Sequence, residues 1–395
     1  MTLWDDFVSF APGREVAGYF ERAPTRSERS GVAVAFDRAE ETISLSRTSD
    51  LGEIERLTHR FLTDRSTAVV GYLGFDTVGL FEPTLARFPS RQSFPLGELA
   101  LVGRARVARA PRLSPQPIGG APVPRPLEDT LPRRRFGRAV RNLVAAIRAG
   151  EAFQVVLAHR REWPRPDDLL RRATELRATE RFAFFYYLKF GDREIVGASP
   201  ESVLEVRGDQ AFINPIAGTL PAIAPRPGRL PLSRDPKELA EHRMLVDLAR
   251  NDLGSISRPG SVGLVWEERR QRYARLEHLV SRVRGRLRPD VGPWRALAAA
   301  FPAGTVSGAP KIRATQLLRR EEGTWRGPYG GAVALLRPQR RADFALTIRT
   351  AFATGDRLYT AAGAGIVHRS NPTREFDETL SKLEHVEATL LGGDR

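Results

Sequence analysis

A succession of strand-like runs separated by Gly-Asp turns constrains the fold of this chain more than any other feature. Residues 182–198 form two such runs around the Gly-Asp pair at 191–192, and residues 204–214 fold back through a second pair at 208–209. Short glycine-containing loops between strand patterns predict antiparallel hairpins. Helical patterns are set among these hairpins, so the sequence predicts an α+β fold and not a doubly wound parallel sheet.

The remaining elements follow from the spacing of apolar residues. Helices are predicted at 50–61, from Phe136 to Gly150 and from about residue 167. Strands are predicted at 68–75, 151–160, 331–336 and 344–351. The segment 344–351 alternates apolar and other residues throughout, and this pattern predicts one continuous strand.

Length and composition divide the 395 residues into three parts. Residues 1–110 carry no chemical motif and are predicted to be a mixed α/β part of the same core. Residues 111–133 are rich in proline and glycine, which indicates a crossing loop. Residues 134–395 form the third part, and the motifs described below predict that it is the catalytic domain.

The net charge of +15 and the pI near 10.9 raise nucleic-acid binding as a competing class of function. The arginines are scattered through every segment, however, and no helix-turn-helix, zinc or basic-aromatic pattern accompanies them. We therefore expect no nucleic-acid partner. A heparin column at moderate salt distinguishes the two classes, because specific nucleic-acid binders stay bound there.

The chain has no cysteine, so disulfides and thiolate metal sites are excluded. No apolar run approaches the length of a membrane span, and the first six residues contain no basic segment typical of a signal peptide. These observations predict a cytoplasmic protein without membrane contact.

Residues 235–254 read as one helix with chemistry on its first turns. Asp235 can act as N-cap, Pro236 suits the first helical position, and Gly254 ends the pattern. Glu238 and Glu241 are three residues apart, so both project from one side and could hold a metal ion. The alternative is that Glu238 only caps the helix while Glu241 is solvated.

This helix and four later segments resemble the chorismate-utilising enzymes. The matching segments are 240–252, 301–311, 326–331, 348–350 and 362–367. The resemblance covers about residues 136–390, with the motifs in the family's order. It implies antiparallel sheets packed together with helices on the outside, and chorismate as the substrate.

The resemblance also implies a Mg²⁺ site. It assigns direct binding to Glu241 and Glu378, with Glu238 and Glu375 nearby as further ligands through water. Glu375 and Glu378 repeat the spacing of the first pair on one face of another predicted helix. Mg²⁺ prefers carboxylate and water oxygens, and two such pairs are a stronger signal than one.

Further roles are implied residue by residue. His278 would assist departure of the C4 hydroxyl, Glu201 would act as general acid or base, and Thr305 would make a polar contact. Substrate binding is assigned to Thr219, Ala217, Gly218, Tyr329, Gly330, Arg349, Gly363, Ala364, Gly365 and Lys382. Without the resemblance, the glycines at 363 and 365 indicate only a tight turn or an anion-binding backbone, because the third glycine of a nucleotide loop is absent.

Two positions indicate the branch of the family. Water-using relatives have a lysine base where this chain has Gln154, whereas ammonia needs no such base. Aminodeoxychorismate synthases typically have a nucleophilic lysine where this chain has Ala217. The pair predicts attack of ammonia at C2 and formation of anthranilate and pyruvate, the first step of tryptophan biosynthesis. An aminodeoxyisochorismate synthase has the same residues at both positions, so this enzyme remains an alternative.

The resemblance implies a partner protein, and it shows where this chain differs from family members that tryptophan inhibits. Without a cysteine nucleophile the chain has no glutaminase of its own, so ammonia comes from solution or from a separate glutamine amidotransferase subunit, which predicts a hetero-oligomer. Tryptophan-inhibited members carry two pocket motifs that are not readable at 16–30 and 180–187. We therefore expect a degenerate regulatory region and weak or no inhibition by tryptophan.

Overall fold

Helices and strands alternate along the part of the chain that this computed structural model describes. That part comprises residues 2–24, 31–88, 93–110, 113, 123–221, 236–273 and 276–392, with the backbone alone for 217–221, 236–237, 271–273 and 276–277. The proposed N-cap Asp235 lies outside the described residues.

The α-helices are bounded as follows: α1 Leu3–Phe10, α2 Leu51–Phe61, α3 Val78–Phe81, α4 Arg133–Arg148, α5 Leu169–Thr179, α6 Pro236–Gly254, α7 Pro293–Ala300, α8 Gly304–Ser307, α9 Lys311–Glu322 and α10 Pro372–Leu391. The strands are β1 Val16–Arg22, β2 Val32–Phe36, β3 Glu41–Leu45, β4 Ala68–Leu73, β5 Gly97–Val102, β6 Arg106–Ala108, β7 Glu128–Asp129, β8 Gln154–Pro164, β9 Phe184–Phe190, β10 Arg193–Ser199, β11 Ser202–Arg207, β12 Gln210–Ile213, β13 Ile216–Pro221, β14 Gly263–Tyr273, β15 Leu276–Arg286, β16 Gly308–Ala309, β17 Ala332–Arg337, β18 Arg341–Leu346, β19 Thr350–Thr354 and β20 Arg357–Ile366.

The strands form two antiparallel sheets. The first sheet has the order β16-β8-β20-β19-β10-β9-β1-β2-β6, with β7 beside β8. The second has the order β13-β15-β12-β11-β18-β17-β4-β5-β3, with β14 beside β15. The prediction of an α+β fold with packed antiparallel sheets is confirmed.

An apolar layer separates the two sheets, and helices cover their outer faces. Phe20 and Leu188 of the first sheet pack in one cluster with Tyr72 and Val333 of the second. On the outer face of the first sheet, α1, α5 and α10 contribute side chains such as Trp4 to a separate cluster. Sheets that are buried on both faces read as nearly continuous apolar runs, and this is why the strand patterns were visible in the sequence.

The two predicted hairpins are confirmed, and their turns need glycine. β9 and β10 pair from Phe190 and Arg193 outward, and Gly191 in the turn has φ +62°. Gly208, between β11 and β12, has φ +66°. Both values lie in the left-handed region, where a residue without Cβ is least strained.

The prediction of one strand at 344–351 is wrong. β18 ends at Leu346 in the second sheet, and β19 begins at Thr350 in the first. The chain crosses between the sheets through 347–349, and Arg349 takes a left-handed conformation with φ +51°. Alternation of apolar residues continues across the crossing because both strands are buried, so the pattern does not reveal the change of sheet.

A second crossing runs beside the first. Between β10 and β11 the chain passes from one sheet to the other through Pro200 and Glu201. The backbone N–H of Leu346 donates to the Glu201 carbonyl at 3.0 Å, and that of Ala198 donates to the Arg349 carbonyl at 3.2 Å. Glu201 and Arg349 are therefore held together by the main chain.

The part before residue 111 contributes strands to both sheets. β1, β2 and β6 belong to the first sheet, and β3, β4 and β5 belong to the second. The division at 111–133 stays a prediction. Among the helices that the structure describes, none is both long and apolar enough to cross a bilayer.

Candidate active site

A cavity of about 720 Å³ opens where the two crossings meet. Its walls come from both sheets and from α6, α8 and α10. Most of the residues predicted from the sequence line it, namely Gln154, Glu201, Glu238, Glu241, His278, Thr305, Tyr329, Arg349, Gly363, Gly365, Glu375, Glu378 and Lys382. Residues far apart in the sequence are thus brought to one enclosed space.

Glu201 is a buried carboxyl group at one crossing. Its side chain accepts a hydrogen bond from the Thr305 hydroxyl at 2.7 Å. Burial raises its pKa to about 7, although the Thr305 hydrogen bond and the charges of Lys382 and Arg349 favour the ionised form. A carboxyl group with a pKa near neutrality is suited to act as a general acid or base.

Arg349 brings a cation to the other crossing. A left-handed conformation in a residue with a Cβ costs on the order of 1–3 kcal/mol, so the surrounding structure must hold it. The Ala198 amide does so from one side, and the buried Glu180 carboxylate lies 3.7 Å from the guanidinium. Arg349 thus brings a positive charge to the cavity wall in a conformation that its neighbours hold.

Lys382 is positioned by Gly363. The Lys382 ammonium donates to the Gly363 carbonyl at 2.8 Å and lies 2.8 Å from a Glu378 oxygen. Burial raises the pKa of Tyr329 to about 12, and the nearby Gly363 backbone opposes that rise. The role of the Gly363 backbone in binding an anion stays a prediction.

Strand geometry explains why some predicted glycine-motif positions face elsewhere. Gly363 and Gly365 line the cavity within β20, so the alternative of a tight turn at these glycines is excluded. Successive residues of a strand point to opposite faces, and Ala364 is accordingly buried in the core. Gly330 is not among the lining residues, and its N–H donates to the Thr347 carbonyl at 2.9 Å. The binding roles of Ala364 and Gly330 stay predictions.

Gln154 and Gly365 form a matched pair on neighbouring strands. A Cβ added at Gly365 would lie 2.5 Å from the Gln154 side-chain nitrogen. That approach is closer than real Cβ atoms allow. Gly365 therefore makes room for the Gln154 amide on the cavity wall.

A buried ion pair braces the wall from behind. Arg326 donates to the carbonyls of Val306 at 2.6 Å and Val156 at 2.8 Å, and to Glu322 at 2.6 Å. Glu322 also accepts from the Ala158 amide at 2.9 Å. Sequence reasoning gave Arg326 no role beyond its motif, and only the contacts show that it fixes two wall residues.

Four glutamates line the side of the cavity formed by helices. Glu238 and Glu241 come from α6, and Glu375 and Glu378 come from α10. Among the described residues no three acidic or histidine side chains are gathered as a metal site. Like charges repel in the absence of a cation, and Glu378 instead lies against Lys382. Carboxylate oxygens facing one cavity from two helices nevertheless fit the ligand chemistry of Mg²⁺.

Five further residues line the cavity at its rim, and the sequence analysis gave none of them a role. They lie just before α10 or in its first turn: Val367, Arg369, Ser370, Asn371 and Arg374. The Asn371 side chain caps the helix by accepting from the amides of Thr373 at 3.0 Å and Arg374 at 3.2 Å. The Asn-Pro start of a helix just before Glu375 was the available signal.

Two other residues of the motif segments make contacts within the protein and do not line the cavity. Lys311 donates to both carboxylate oxygens of Asp252, at 3.0 and 2.9 Å. The buried His242 ring is hydrogen-bonded to the Ser281 hydroxyl at 2.7 Å, and burial lowers its pKa. By contrast His278, on β15, is buried and lines the cavity.

The binding roles of Ala217, Gly218 and Thr219 stay predictions. All three lie in β13, next to β15. Their side chains lie outside the described residues.

Aromatic and charged side chains fill the space around residues 16–22 and 180–187, the described parts of the two segments that were compared with the regulatory motifs. The Trp4 ring lies 4.9 Å from the Tyr19 ring and 5.1 Å from the Phe185 ring. Glu21 accepts hydrogen bonds from the Tyr19 hydroxyl and from Arg177, each at 2.8 Å. The prediction of weak tryptophan inhibition is compatible with this filling and stays a prediction.

Comparisons with known proteins agree with this geometry. The chain is 43% identical over 272 residues to anthranilate synthase component 1 of Methanothermobacter thermautotrophicus, which covers 66% of this chain and 58% of the relative. It is 40% identical over 315 residues to the protein of the same name in Streptomyces coelicolor, covering 74% and 60%. The chain thus spans about 60% of the length of these curated relatives.

Solved structures and a family model extend the match. The crystal structure of anthranilate synthase component I from Streptococcus pneumoniae has a TM-score of 0.76 and 28% identity, covering 95% of this chain and 92% of that one. The menaquinone-specific isochorismate synthase of Escherichia coli, at 18% identity and a TM-score of 0.75, covers 97% and 91% and supports the fold alone. The model for chorismate binding enzymes matches residues 16–388, which include every described wall of the cavity. The chain therefore belongs to the family of chorismate binding enzymes.

Proposed function

We propose that this protein converts chorismate and ammonia to anthranilate and pyruvate, the first step of tryptophan biosynthesis. The similarity to anthranilate synthase components at about 40% identity supports this branch of the family. The observation that carries the proposal is the Gln154 amide on the cavity wall. An amide cannot deprotonate water, whereas ammonia is a nucleophile without a base.

Two cations of the cavity would bind the two carboxylates of chorismate. Arg349 lines the cavity from the crossing, and Lys382 lines it from α10. Hydrogen bonds to charged groups are about twice as strong as neutral ones. The Tyr329 hydroxyl, kept neutral by burial, adds a donor for the same substrate.

The first step then requires proton transfers at two ring positions, C2 and C4. Ammonia forms a bond to C2 as the C4 hydroxyl leaves as water, and His278 supplies the proton to that leaving group. Glu201, with a pKa of about 7, takes a proton from the new ammonium group. Loss of the C2 hydrogen as a proton, with cleavage of the C3–O bond, then leaves the aromatic product and releases enolpyruvate, which takes up a proton to become pyruvate.

Enzymes of this family depend in general on Mg²⁺, and the glutamates of this chain suit that ion. Glu241 and Glu378 would hold it directly, with Glu238 and Glu375 binding through water. When bound, Mg²⁺ withdraws negative charge from the ring carboxylate of chorismate. The bound cation would also reduce the repulsion between the glutamates on the helix side of the cavity.

Ammonia would come from a separate glutamine amidotransferase subunit or from solution. The chain contains no cysteine that could serve as a glutaminase nucleophile. We accordingly propose a hetero-oligomer in the cytoplasm, without a nucleic-acid partner.

Identification of the product tests the proposal. Purified protein is incubated with chorismate and Mg²⁺, and either ammonium at alkaline pH or glutamine is added. We expect anthranilate with ammonium and no product with glutamine alone. Detection of 4-amino-4-deoxychorismate, isochorismate or salicylate as the main product would assign the protein to another branch.

A further inference from the structure

Two arginines at the rim of the cavity have no part in the chemistry described above. Arg369 precedes α10 and Arg374 lies in its first turn, and both line the cavity. Both side chains are exposed to solvent. Among the described residues, neither guanidinium has a hydrogen-bond or ion-pair partner. These two residues, called the rim arginines, are therefore available to a charged ligand.

The chain turns back at Arg369, and hydrogen bonds close this turn from inside and outside. The Ser370 N–H donates to the Val367 carbonyl at 3.0 Å, and the Val367 N–H donates to the Ser370 hydroxyl at 3.0 Å. From outside, the Arg148 guanidinium donates to the His368 carbonyl at 3.2 Å. Arg369 is thus carried on a backbone that its neighbours hold at the rim.

Arg374 occupies a position that is unfavourable for the stability of its helix. The Asn371 cap accepts a hydrogen bond from the Arg374 amide at 3.2 Å, which places the residue in the first turn of α10. The N-terminal end of a helix carries partial positive charge, so a cation there is repelled. Residues that break a local rule of stability are expected at functional sites.

The balance of charge in the cavity explains what the rim arginines could add. Among the lining residues that the structure describes, four are lysine or arginine and five are glutamate. The two inner cations are already offset, because Lys382 lies 2.8 Å from Glu378 and Arg349 lies 3.7 Å from Glu180. Chorismate brings two further negative charges. Without the rim arginines, the remaining lining charges would repel it.

We propose that the rim arginines capture dianionic chorismate by charge at the entrance of the cavity, before Arg349 and Lys382 bind its carboxylates. This inference rests on the proposed function, because that function supplies the substrate. Charges of one sign at the opening of a cleft raise the local concentration of an ion of the opposite sign. The rim arginines therefore act in substrate binding and take no part in bond cleavage.

The test changes the charge at both positions and measures binding separately from turnover. The Kd of chorismate is measured by calorimetry with excess Mg²⁺ at low salt, and KM and kcat are measured at constant ammonium. Arg369→Gln and Arg374→Gln should each raise Kd and KM by about 1.5- to 5-fold, the range for exposed charge pairs. Replacement of both arginines by glutamate should raise Kd and KM at least about tenfold, since four units of charge change.

Two further readouts distinguish charge from structure. Arg369→Lys and Arg374→Lys keep the charge, so Kd should stay within about twofold of the unsubstituted value. In all these variants kcat should change by less than about twofold, because an interaction made equally in the ground state and transition state affects KM alone. At an ionic strength of about 1 M the Debye length is about 3 Å, so the double glutamate variant should then bind like the unsubstituted protein.

The matched control makes the same change of net charge far from the rim. Arg47 and Arg104 are exposed, and they follow β3 and β5 at the opposite edge of the second sheet from β13 and β15. Replacement of both by glutamate should leave Kd, KM and kcat unchanged.

The outcomes separate capture from function. Unchanged Kd and KM in the double glutamate variant at low salt would overturn the proposal, as would an equal loss of affinity in the control. A loss confined to kcat, or lysine variants that bind as weakly as the glutamine variants, would overturn it too. Absence of anthranilate with the unsubstituted chain and ammonium would reject the proposed function itself, and the Kd of chorismate would still report on capture.

Discussion

The two sides of the cavity are built differently. The strand side comprises Gln154, Glu201, Tyr329 and Arg349, and the helix side comprises Glu238, Glu241, Glu375 and Glu378. Glu201 is only 7% exposed and is hydrogen-bonded to Thr305, whereas the Glu378 side chain is 48% exposed. Within the described residues the glutamates are not drawn together into a metal cluster.

This difference indicates which side is prepared in advance. Backbone crossings and buried hydrogen bonds hold the strand side, so its groups keep their positions without a ligand. On the helix side, negative charges from two helices face each other, and a cation is needed to bring them together. The following predictions test that distinction, beginning with the largest expected effect.

Removal of a charge on the helix side should have the greatest effect. Glu241→Gln and Glu378→Gln should each reduce turnover below detection while the circular dichroism spectrum stays unchanged, because Mg²⁺ binding loses an anionic ligand. Calorimetric titration with Mg²⁺ should show the same loss of binding. Glu384→Gln, at an exposed position of α10, is the control and should remain active. Full activity of the unsubstituted protein in EDTA would contradict this prediction.

Removal of the buried carboxyl group on the strand side should reduce activity without affecting the metal. Glu201→Gln should lower kcat by about 10²–10⁴, the usual contribution of a general acid or base. Mg²⁺ affinity should be retained, since Glu201 lies on the other side. Loss of Mg²⁺ binding in this variant would show that the two sides are not separate.

The same variant should be more stable above neutral pH. Burial raises the pKa of Glu201 from 4.5 to about 7, so the folded state binds the proton more tightly than the unfolded state. The stability associated with the protonated form is lost as the pH rises between these values, and above pH 7 the ionised group costs about 3 kcal/mol. Glu201→Gln should therefore unfold at higher denaturant than the unsubstituted protein at pH 8, and equally at pH 4. A variant less stable at pH 8 would contradict this.

A smaller effect is expected from the hydroxyl that holds this carboxyl group. The Thr305 hydrogen bond lowers the pKa of Glu201, so Thr305→Ala should move the Glu201 limb of the kcat/KM profile to higher pH. Thr305→Ser keeps a hydroxyl at the position and should leave the profile in place. An unchanged profile in the alanine variant would separate Thr305 from Glu201.

Added tryptophan is expected to change the reaction rate least, because it would bind away from both sides of the cavity. Trp4, Tyr19 and Phe185 pack against each other where a regulatory pocket would need space. A tryptophan titration should therefore leave the rate nearly constant. Competitive inhibition against chorismate at low micromolar concentration would show that a pocket persists and communicates with the cavity.

The sequence alone predicted the chemistry of the cavity better than its shape. The spacing of Glu238 with Glu241 and of Glu375 with Glu378 placed each pair on one helix face, because helical periodicity is a local property. The hairpins at Gly191 and Gly208 were equally local. The sequence did not show that Ala364 lies in the core or that the Gly330 amide donates to Thr347, because the direction of a side chain or amide depends on pairing with distant strands.

The crossings were decided by tertiary structure. Nothing in the alternation of 344–351 distinguishes one buried strand from two strands in different sheets, because both bury apolar residues at the same period. Only the pairing of β18 in one sheet and β19 in the other turns Arg349 toward Glu201. The sequence thus determined which groups the protein carries and on which local elements. Long-range strand pairing determined that they meet, since a contact between distant residues leaves no period in the chain.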